Sequence, residues 1–472
     1  GPKSRTKDSD FETLSLNNES LLKTCESLKV SMKAFMKHNS TIWVLNEEIV
    51  RLCNKIFDNP TEEDKESERM GQRDNARMLL DMAENLWGSG LVQIMENCLR
   101  GSAVIQLDAF VGSIHQIQEK FIELQGLREQ YDYYKNKLTK LDQQADKIDP
   151  ARLNDNKIKL EDAYEMYFAT NETVKVKLLL HWEDRFDFLS NVLSEFLKSQ
   201  EMFLFTLADS LQLIALDVNS LNQTPAPAPS CAVLGNTLSI LGDQKGKGLL
   251  NRFKRQVLKI GQNHKSEDIE LELMRDNFHE YWATLKELIN KLCVLGKHTA
   301  DLQAKSDEVY QHVRAVFQCE GGADNVFHAL IVRTGAALTS WSTLSHTVLE
   351  RVGAVSAYLQ QCAGVCELLA VQIKSREESR SVMDYYAAKV NADRVGDKKA
   401  ESHLNKFAES KQKYDQCNTM LKRYLGEMLN TRHSDLSSAL SALLRAENMY
   451  YQGIRGAFSR VDDAGGGDYV VP

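Results

Sequence analysis

Asp384-Tyr385-Tyr386-Ala387-Ala388-Lys389 is the stretch around which the rest of the chain is organised. The same pattern, D-Y-Y-x-x-K, occurs 252 positions earlier, from Asp132 to Lys137. Both copies lie late in a long polar run of helix-forming residues. Six matching residues carry little weight alone, but the sequence around each copy matches as well, and an internal repeat of this size determines the fold.

The repeat continues on both sides of this motif. Upstream, an ungapped register with an offset of 260 pairs Lys37-His38 with Lys297-His298. Downstream, a register with an offset of 247 pairs Tyr167 with Tyr414. The falling offset is expected if two loops are longer in the first copy. The chain is therefore predicted to contain two diverged copies of one helical module of about 200 residues.

Composition favours a folded all-α protein. Hydrophobic residues make up 43% of the 472 positions, too many for global disorder. Strand signals are scarce, and no run of 18 apolar residues indicates a transmembrane helix. The net charge of −8 argues against a nucleic-acid partner. The nine cysteines lack the spacing of a disulfide framework, which predicts buried thiols in a cytoplasmic, reducing compartment.

Prolines, glycines and helix-forming runs divide the chain into two three-helix modules. The predicted boundaries are 11–217 for the first module, 218–247 for a linker containing Pro, Ala and Gly, 248–264 for a basic amphipathic helix, 265–460 for the second module and 461–472 for a flexible tail. The second helix of the first module would be about 130 Å long if unbroken. Bends are expected at Gly88, Gly90 and Gly101.

The last helix carries a coiled-coil pattern. Its apolar residues recur in steps of three and four, with Lys411 and Asn418 filling the gaps. The predicted seam residues are Leu404, Phe407, Tyr414, Leu421, Leu425 and Met428.

A basic amphipathic segment precedes the second module. Residues 245–260 carry six Lys or Arg and no acid. On a helix, one arc of about 100° would hold the apolar residues Leu249, Leu250, Phe253, Val257 and Ile260. The cations beside them are Lys247, Arg252, Lys254, Arg255 and Lys259. This pattern favours insertion of the apolar residues into an anionic membrane surface. A linker helix packed on the bundle and a calmodulin-type target are the alternatives.

Taken together, the three-helix modules, the D-Y-Y-x-x-K motif before each hairpin turn and the amphipathic segment resemble the BAR domain, in the N-BAR form found in amphiphysin and endophilin. The resemblance covers about 11–217 and 248–460. It implies an elongated, crescent-shaped antiparallel dimer with a six-helix bundle at its centre. It also implies that cations on the concave face and the tips bind anionic phospholipid membranes.

The resemblance assigns lipid contacts to cations near each hairpin turn. In the second module these are Lys389, Arg394, Lys398, Lys399, Lys406, Lys411 and Lys413. In the first module they are Lys135, Lys137, Lys140, Lys147, Arg152, Lys157 and Lys159. From Asp384 to Tyr424 there are nine basic and six acidic residues, whereas Asp132 to Lys177 holds nine of each. The second module is therefore expected to bind membranes better, although any single lysine could equally lie on a solvated helix face.

The chain departs from that family because it contains both modules. The two copies are predicted to pair with each other. The 48 residues between them, 218–265, span about 40 Å as a coil and keep the second module at high effective concentration near the first. The expected function is a scaffold that senses or generates curvature on cytoplasmic membranes in endocytic or tubular trafficking. The alternatives are an adaptor for a small GTPase or a cytoskeletal protein, and a spectrin-like spacer.

Enzyme signatures are weak in this sequence. Gly242 to Gly248 lacks the spacing and the Ser or Thr of a phosphate loop and follows no strand. Cys362 and Cys366 lack zinc-type spacing and a nearby histidine. We therefore predict a peripheral membrane protein that is not an enzyme and has no cofactor and no metal.

Overall fold

The computed structural model describes residues 8–57, 69–143, 149–221, 228–243, 268–318, 326–392 and 399–462. Every regular element in these ranges is helical, which confirms the all-α prediction. In chain order the helices are α1 (Ser9–Phe57), α2 (Arg69–Trp87), α3 (Leu91–Leu99), a π-helical turn (Arg100–Val104), α4 (Ile105–Asp142), α5 (Pro150–Glu183), α6 (Arg185–Leu221), α7 (Ala232–Asp243), α8 (Ile269–Gln318), α9 (Val326–Ala392) and α10 (Ala400–Asp462).

The second module consists of three long helices, α8, α9 and α10. Helix α9 has 67 residues, about 100 Å at 1.5 Å per residue. Asp268 caps α8, because its carboxylate accepts a hydrogen bond from the Leu271 backbone N–H at 3.2 Å. Helices α9 and α10 form an antiparallel hairpin against which α8 packs.

The first module follows the same plan with interruptions. Gly90 separates α2 from α3 in a left-handed conformation, φ 72°, which glycine adopts without a Cβ clash. Gly101 lies within the π-helical turn. Gly88 lies in the same interruption as Gly90, directly after the end of α2, so all three glycines at which bends were predicted lie at interruptions of the α-helix. A further break at Asp184, between α5 and α6, was not predicted, because no glycine or proline marks it.

The two modules begin with the same set of contacts. Asp8 caps α1 through the Phe11 N–H at 3.1 Å and accepts hydrogen bonds from Asn171 and Lys175 of α5 at 2.8 and 2.6 Å. In the second module Asp268 accepts from Asn418 and Lys422 of α10 at 2.7 and 3.0 Å. These residues are the partners of Asp8, Asn171 and Lys175 at offsets of 260 and 247.

Helices α1 and α8, one from each module, lie antiparallel and make reciprocal contacts. Ser31 donates to Glu308 at 3.0 Å. At the positions related by the 260 offset, Lys291 forms an ion pair with Glu48 at 2.7 Å. Each contact between the copies is thus matched by a second contact in which the two positions exchange modules. This is the self-complementary pattern of an interface on a two-fold axis.

Helices α6 and α10 repeat this reciprocity at the 247 offset. Gln452 donates to the Ala208 carbonyl at 2.8 Å. At the equivalent positions, the Arg455 guanidinium lies 4.8 Å from the centre of the Phe205 ring. The contacts between the modules are therefore reciprocal at two separate helix pairs.

A single hydrophobic core contains residues of both modules. The Phe35 ring of α1 lies 5.2 Å from Phe196 of α6 and 6.4 Å from Trp341 of α9. The Trp341 Nε1–H donates to the Tyr450 hydroxyl of α10 at 2.7 Å. Because aromatic side chains remove the largest areas from water, this cluster ties the modules together.

Part of the predicted linker is an ordered helix. Helix α7 begins after Ser230 and Cys231, whose backbone N–H groups donate to the Asp435 carboxylate at 2.6 and 3.3 Å. A Cβ on Gly235 would lie 2.9 Å from Val365 of α9. Residues 232–243 therefore pack on the second module.

The coiled-coil seam of α10 is confirmed from Tyr414 onward, where the predicted apolar residues are buried. It is wrong for Leu404, which is exposed, and Phe407 is only half-buried. Both lie beyond the start of α8, where α9 and α10 are the only helices that pack together among the described residues.

Helix α9 also has the length and composition of a membrane span. Among the described residues, one helical stretch, His328–Ala392, is long and apolar enough to cross a membrane. Its most apolar 18-residue window has a mean hydropathy of 1.3, and 44% of that window is buried. Buried helices of folded bundles meet the same criterion. Because Trp341 and Leu359 of α9 lie in the core, we attribute this hydropathy to packing.

Candidate membrane-binding surface

The D-Y-Y-x-x-K motif of the second module builds a compact cluster of rings and ammonium groups. The Tyr385 and Tyr386 rings contact edge to face, 5.1 Å apart. The Lys389 ammonium lies 5.6 Å from the centre of the Tyr385 ring. Lys406 of α10 reaches across the hairpin to within 5.9 Å of the Tyr386 ring. Cation–π attraction therefore positions two lysines at the end of the hairpin.

The first copy of the motif builds a similar cluster. Tyr133 and Tyr134 contact edge to face at 5.1 Å, and the Lys137 ammonium lies 5.6 and 5.9 Å from the centres of their rings. Lys159, the repeat partner of Lys406, instead forms an ion pair with Asp155 at 2.9 Å. Both side chains of this pair are exposed, so the interaction is weak.

A stripe of cations runs along the start of α10. Lys399, Lys406 and Lys413 are exposed and seven residues apart, so successive members are displaced by only about 20° around the helix. The equivalent stripe on α5 reads Arg152, Lys159 and Met166. These residues are called the tip cations below. In the second module they are Lys389, Lys399, Lys406 and Lys413, and in the first they are Lys137, Arg152 and Lys159.

The remaining predicted lipid contacts divide into three groups. Lys411 is exposed on another face of α10, where it lines a shallow groove with Asp415. Lys140 and Lys157 are exposed, and the Lys135 ammonium lies 5.4 Å from the Tyr131 ring. Outside the described residues lie Lys147, Arg394, Lys398 and the whole amphipathic segment: Lys247, Leu249, Leu250, Arg252, Phe253, Lys254, Arg255, Val257, Lys259 and Ile260.

The tip cations of the second module lie beyond the three-helix part of that module. Asn418 of α10 marks the level at which α8 begins, because it donates to Asp268. From Asn418 to Lys399 the hairpin continues for about 28 Å without α8, at 1.5 Å per residue. The cations are thus presented along a projecting two-helix arm, with Lys413 near its base and Lys399 near its end.

A buried arginine holds the base of this arm. Arg376 of α9 is 2% exposed and donates to Asn418 at 3.0 Å, to the Tyr414 hydroxyl at 2.9 Å and to Glu272 of α8 at 3.2 Å. Its burial was not predicted from the sequence. Its repeat partner is Leu124, and a charged residue at an otherwise apolar position of the register was the available signal.

The two arms differ in the chemistry of their exposed residues. Helix α5 exposes Tyr164, Met166, Phe168, Val176 and Leu180. At the equivalent positions α10 carries Lys411, Lys413, Asp415, Arg423 and Glu427. The second arm is therefore suited to a charged surface, whereas the first presents apolar side chains.

Comparisons with protein-family models, with curated proteins and with solved structures found no match. The resemblance to the BAR domain therefore rests on the sequence pattern.

Proposed function

We propose that this chain is a membrane-binding scaffold that senses or generates curvature on anionic cytoplasmic membranes. In this proposal its two modules pair within one chain to form an elongated, BAR-like bundle. The observation that carries the proposal is the combination of reciprocal contacts between the repeat copies with clusters of cations near the end of each arm.

The dimensions suit a scaffold that contacts a membrane at two distant points. His38 and His298, which are repeat partners, lie in contact at the middle of the α1–α8 pair. From His298 to the start of α8 is about 44 Å, and the two-helix arm adds about 28 Å. By this straight-helix estimate, two related arms place their tips about 145 Å apart.

The electrostatics favour the second tip. Each lysine near an anionic bilayer contributes about 1 kcal/mol. The four tip cations of the second module would together contribute about 4 kcal/mol at low salt, a factor of nearly 1,000 in affinity. The first module has three tip cations against four in the second, so the second tip should contribute more.

Co-sedimentation of the full chain with vesicles tests the proposal. The chain should bind phosphatidylserine vesicles and not phosphatidylcholine vesicles, with affinity that falls as salt rises. Replacing Lys389, Lys399 and Lys406 by Gln should weaken binding at least tenfold. The matched control replaces Lys23, Arg51 and Lys198, which are exposed cations in local ion pairs away from the tips; it should bind like the unmodified chain.

The amphipathic segment is tested separately. Phe253→Glu places a charge on its proposed insertion face, which should reduce binding to small vesicles more than binding to large ones, since small vesicles have looser headgroup packing. Equal loss from small and large vesicles, or no loss, would contradict an insertion role.

A second candidate function is an adaptor for a small GTPase or a cytoskeletal protein. The exposed apolar side chains of α5 favour it, because a protein partner could bury them. Binding that is indifferent to lipid charge, together with capture of a partner that is lost on Phe168→Asp, would favour the adaptor over the scaffold.

A further inference from the structure

Two repeat-related histidines meet where α1 crosses α8. The Nδ1 atoms of His38 and His298 lie 3.0 Å apart, and the rings are 5.2 Å apart at 46°. Asp301, one turn further along α8, places a carboxylate oxygen 3.9 Å from His38 Nδ1. All three side chains are half-buried and their ligand atoms lie within 4.8 Å of one another.

The histidine pair has a donor set that a metal ion would satisfy. Two neutral imidazoles can face each other through Nδ1 only if one nitrogen carries its proton and the other does not. The neutral imidazole is the form that coordinates metals.

The geometry is close to that of a tetrahedral site. With zinc–nitrogen bonds of about 2.0 Å, two ligand nitrogens lie about 3.3 Å apart. The observed 3.0 Å needs a change of a few tenths of an ångström. The distance from the Asp301 carboxylate to His38 Nδ1 is 3.9 Å. Because the Asp301 side chain is 40% exposed, it can rotate to shorten that distance. Three protein ligands leave the fourth position for water.

We propose that His38, His298 and Asp301 bind one zinc ion at the crossing of the two modules. One ligand comes from the first module and two from the second, so the ion would clamp the modules together. The ammonium of Lys305 would repel a zinc ion, but it forms an ion pair with Glu308 at 2.6 Å, which limits this repulsion. The inference stands apart from the proposed membrane function, and neither depends on the other.

A second group of metal-ligating residues provides the control. Cys231, Cys362 and Asp435 are buried and close together. The Asp435 oxygens already accept hydrogen bonds from the Ser230 and Cys231 N–H groups and from the Tyr358 hydroxyl. A hydrogen bond with Cys362 and burial also raise the pKa of Cys231, which opposes the thiolate form that zinc needs.

Calorimetric titration of zinc into the metal-free full chain tests the site. One ion should bind, and His38→Ala, His298→Ala and Asp301→Ala should each weaken binding at least tenfold. The control variants His346→Ala, an exposed histidine beside Glu350, and Cys231→Ser/Cys362→Ser should bind as the unmodified chain does. Unchanged zinc affinity in His38→Ala and His298→Ala, or loss of zinc binding in Cys231→Ser/Cys362→Ser, would overturn the proposal.

Cobalt provides a test that needs no variant. Cobalt bound to the unmodified chain should show visible bands of a nitrogen- and oxygen-ligated ion and no thiolate charge-transfer band. A thiolate band, or no binding of either metal, would overturn the site even if a histidine variant failed to fold.

Discussion

Replacing Asp268 by Ala should loosen the start of α8. The carboxylate caps the helix through the Leu271 N–H and binds Asn418 and Lys422 of α10. Loss of a cap costs about 1 kcal/mol, and loss of hydrogen bonds to a charged group costs about 1.5–3 kcal/mol. Because the Asp268 and Lys422 side chains are 21% and 31% exposed, solvent weakens these interactions, and we expect a local loss at the lower end of the combined range, about 2–3 kcal/mol.

Hydrogen exchange at residues 269–275 measures this effect. A loss of 2–3 kcal/mol corresponds to amide exchange that is roughly 30- to 150-fold faster in the first two turns. Asp268→Asn should lie between Ala and the unmodified chain, because Asn still caps a helix but cannot pair with Lys422 as an anion. Asp8→Ala should have the same effect on the first turns of α1 and none on α8.

The sign of the pH dependence provides an independent check. Burial raises the pKa of Asp268, but the hydrogen bonds from Asn418, Lys422 and Leu271 outweigh it and hold the pKa below its usual value. The stabilisation is therefore fully present above about pH 4 and is lost as pH falls through the lower folded-state pKa. Protection of α8 in the unmodified chain and in Asp268→Ala should converge in acid. Less than a threefold difference at neutral pH would refute this account of the cap.

Two further substitutions follow from buried charges. Burial raises the pKa of Glu447 to about 8, so its carboxyl group destabilises the fold increasingly as pH rises from about 4.5 to 8. Glu447→Gln introduces the residue of the repeat partner, Gln200. In urea unfolding it should raise the free energy of unfolding by roughly 3 kcal/mol at pH 7 and remove that pH dependence. Arg376→Leu, the residue of the first copy, removes the buried donor shared by the Tyr414 hydroxyl and Asn418, and one of the three arginines that pair with Glu272. It should cost about 3 kcal/mol in the same assay, whereas a neutral result would mean that apolar packing compensates fully.

The helical class and the positions of several breaks followed from local sequence. Helix-forming runs between prolines predicted the long helices, and Gly90 adopts the left-handed conformation that other residues avoid. The break at Asp184 could not be predicted in this way. It is accompanied by contacts of the Arg185 guanidinium with the rings of Trp182 and Phe186 at 3.8 and 4.0 Å, and such contacts depend on packing rather than on a residue with special backbone preferences.

The register of the repeat predicted which residues are equivalent but not which residues meet. The 260 offset aligned His38 with His298, yet only the antiparallel packing of α1 on α8 places them 3.0 Å apart. The same limit applies to α7. Its close contact at Gly235 is with Val365 of α9, which lies more than 100 positions away.

The candidate membrane surface was predictable in part. The motif around Asp384 located the end of the arm, and the seven-residue spacing from Lys399 to Lys413 was present in the sequence. The stacking of Lys406 on Tyr386 joins two helices and depends on their register. Burial of Arg376 was missed because helical periodicity assigns charged residues to solvent.

Small-angle X-ray scattering of the full chain tests most directly whether the two copies pair within one molecule. Intramolecular pairing predicts the mass of one chain, 53.5 kDa, at every concentration, with a maximum dimension of about 150 Å from the straight-helix estimate. A mass of two chains, or a particle shorter than about 100 Å, would contradict the account.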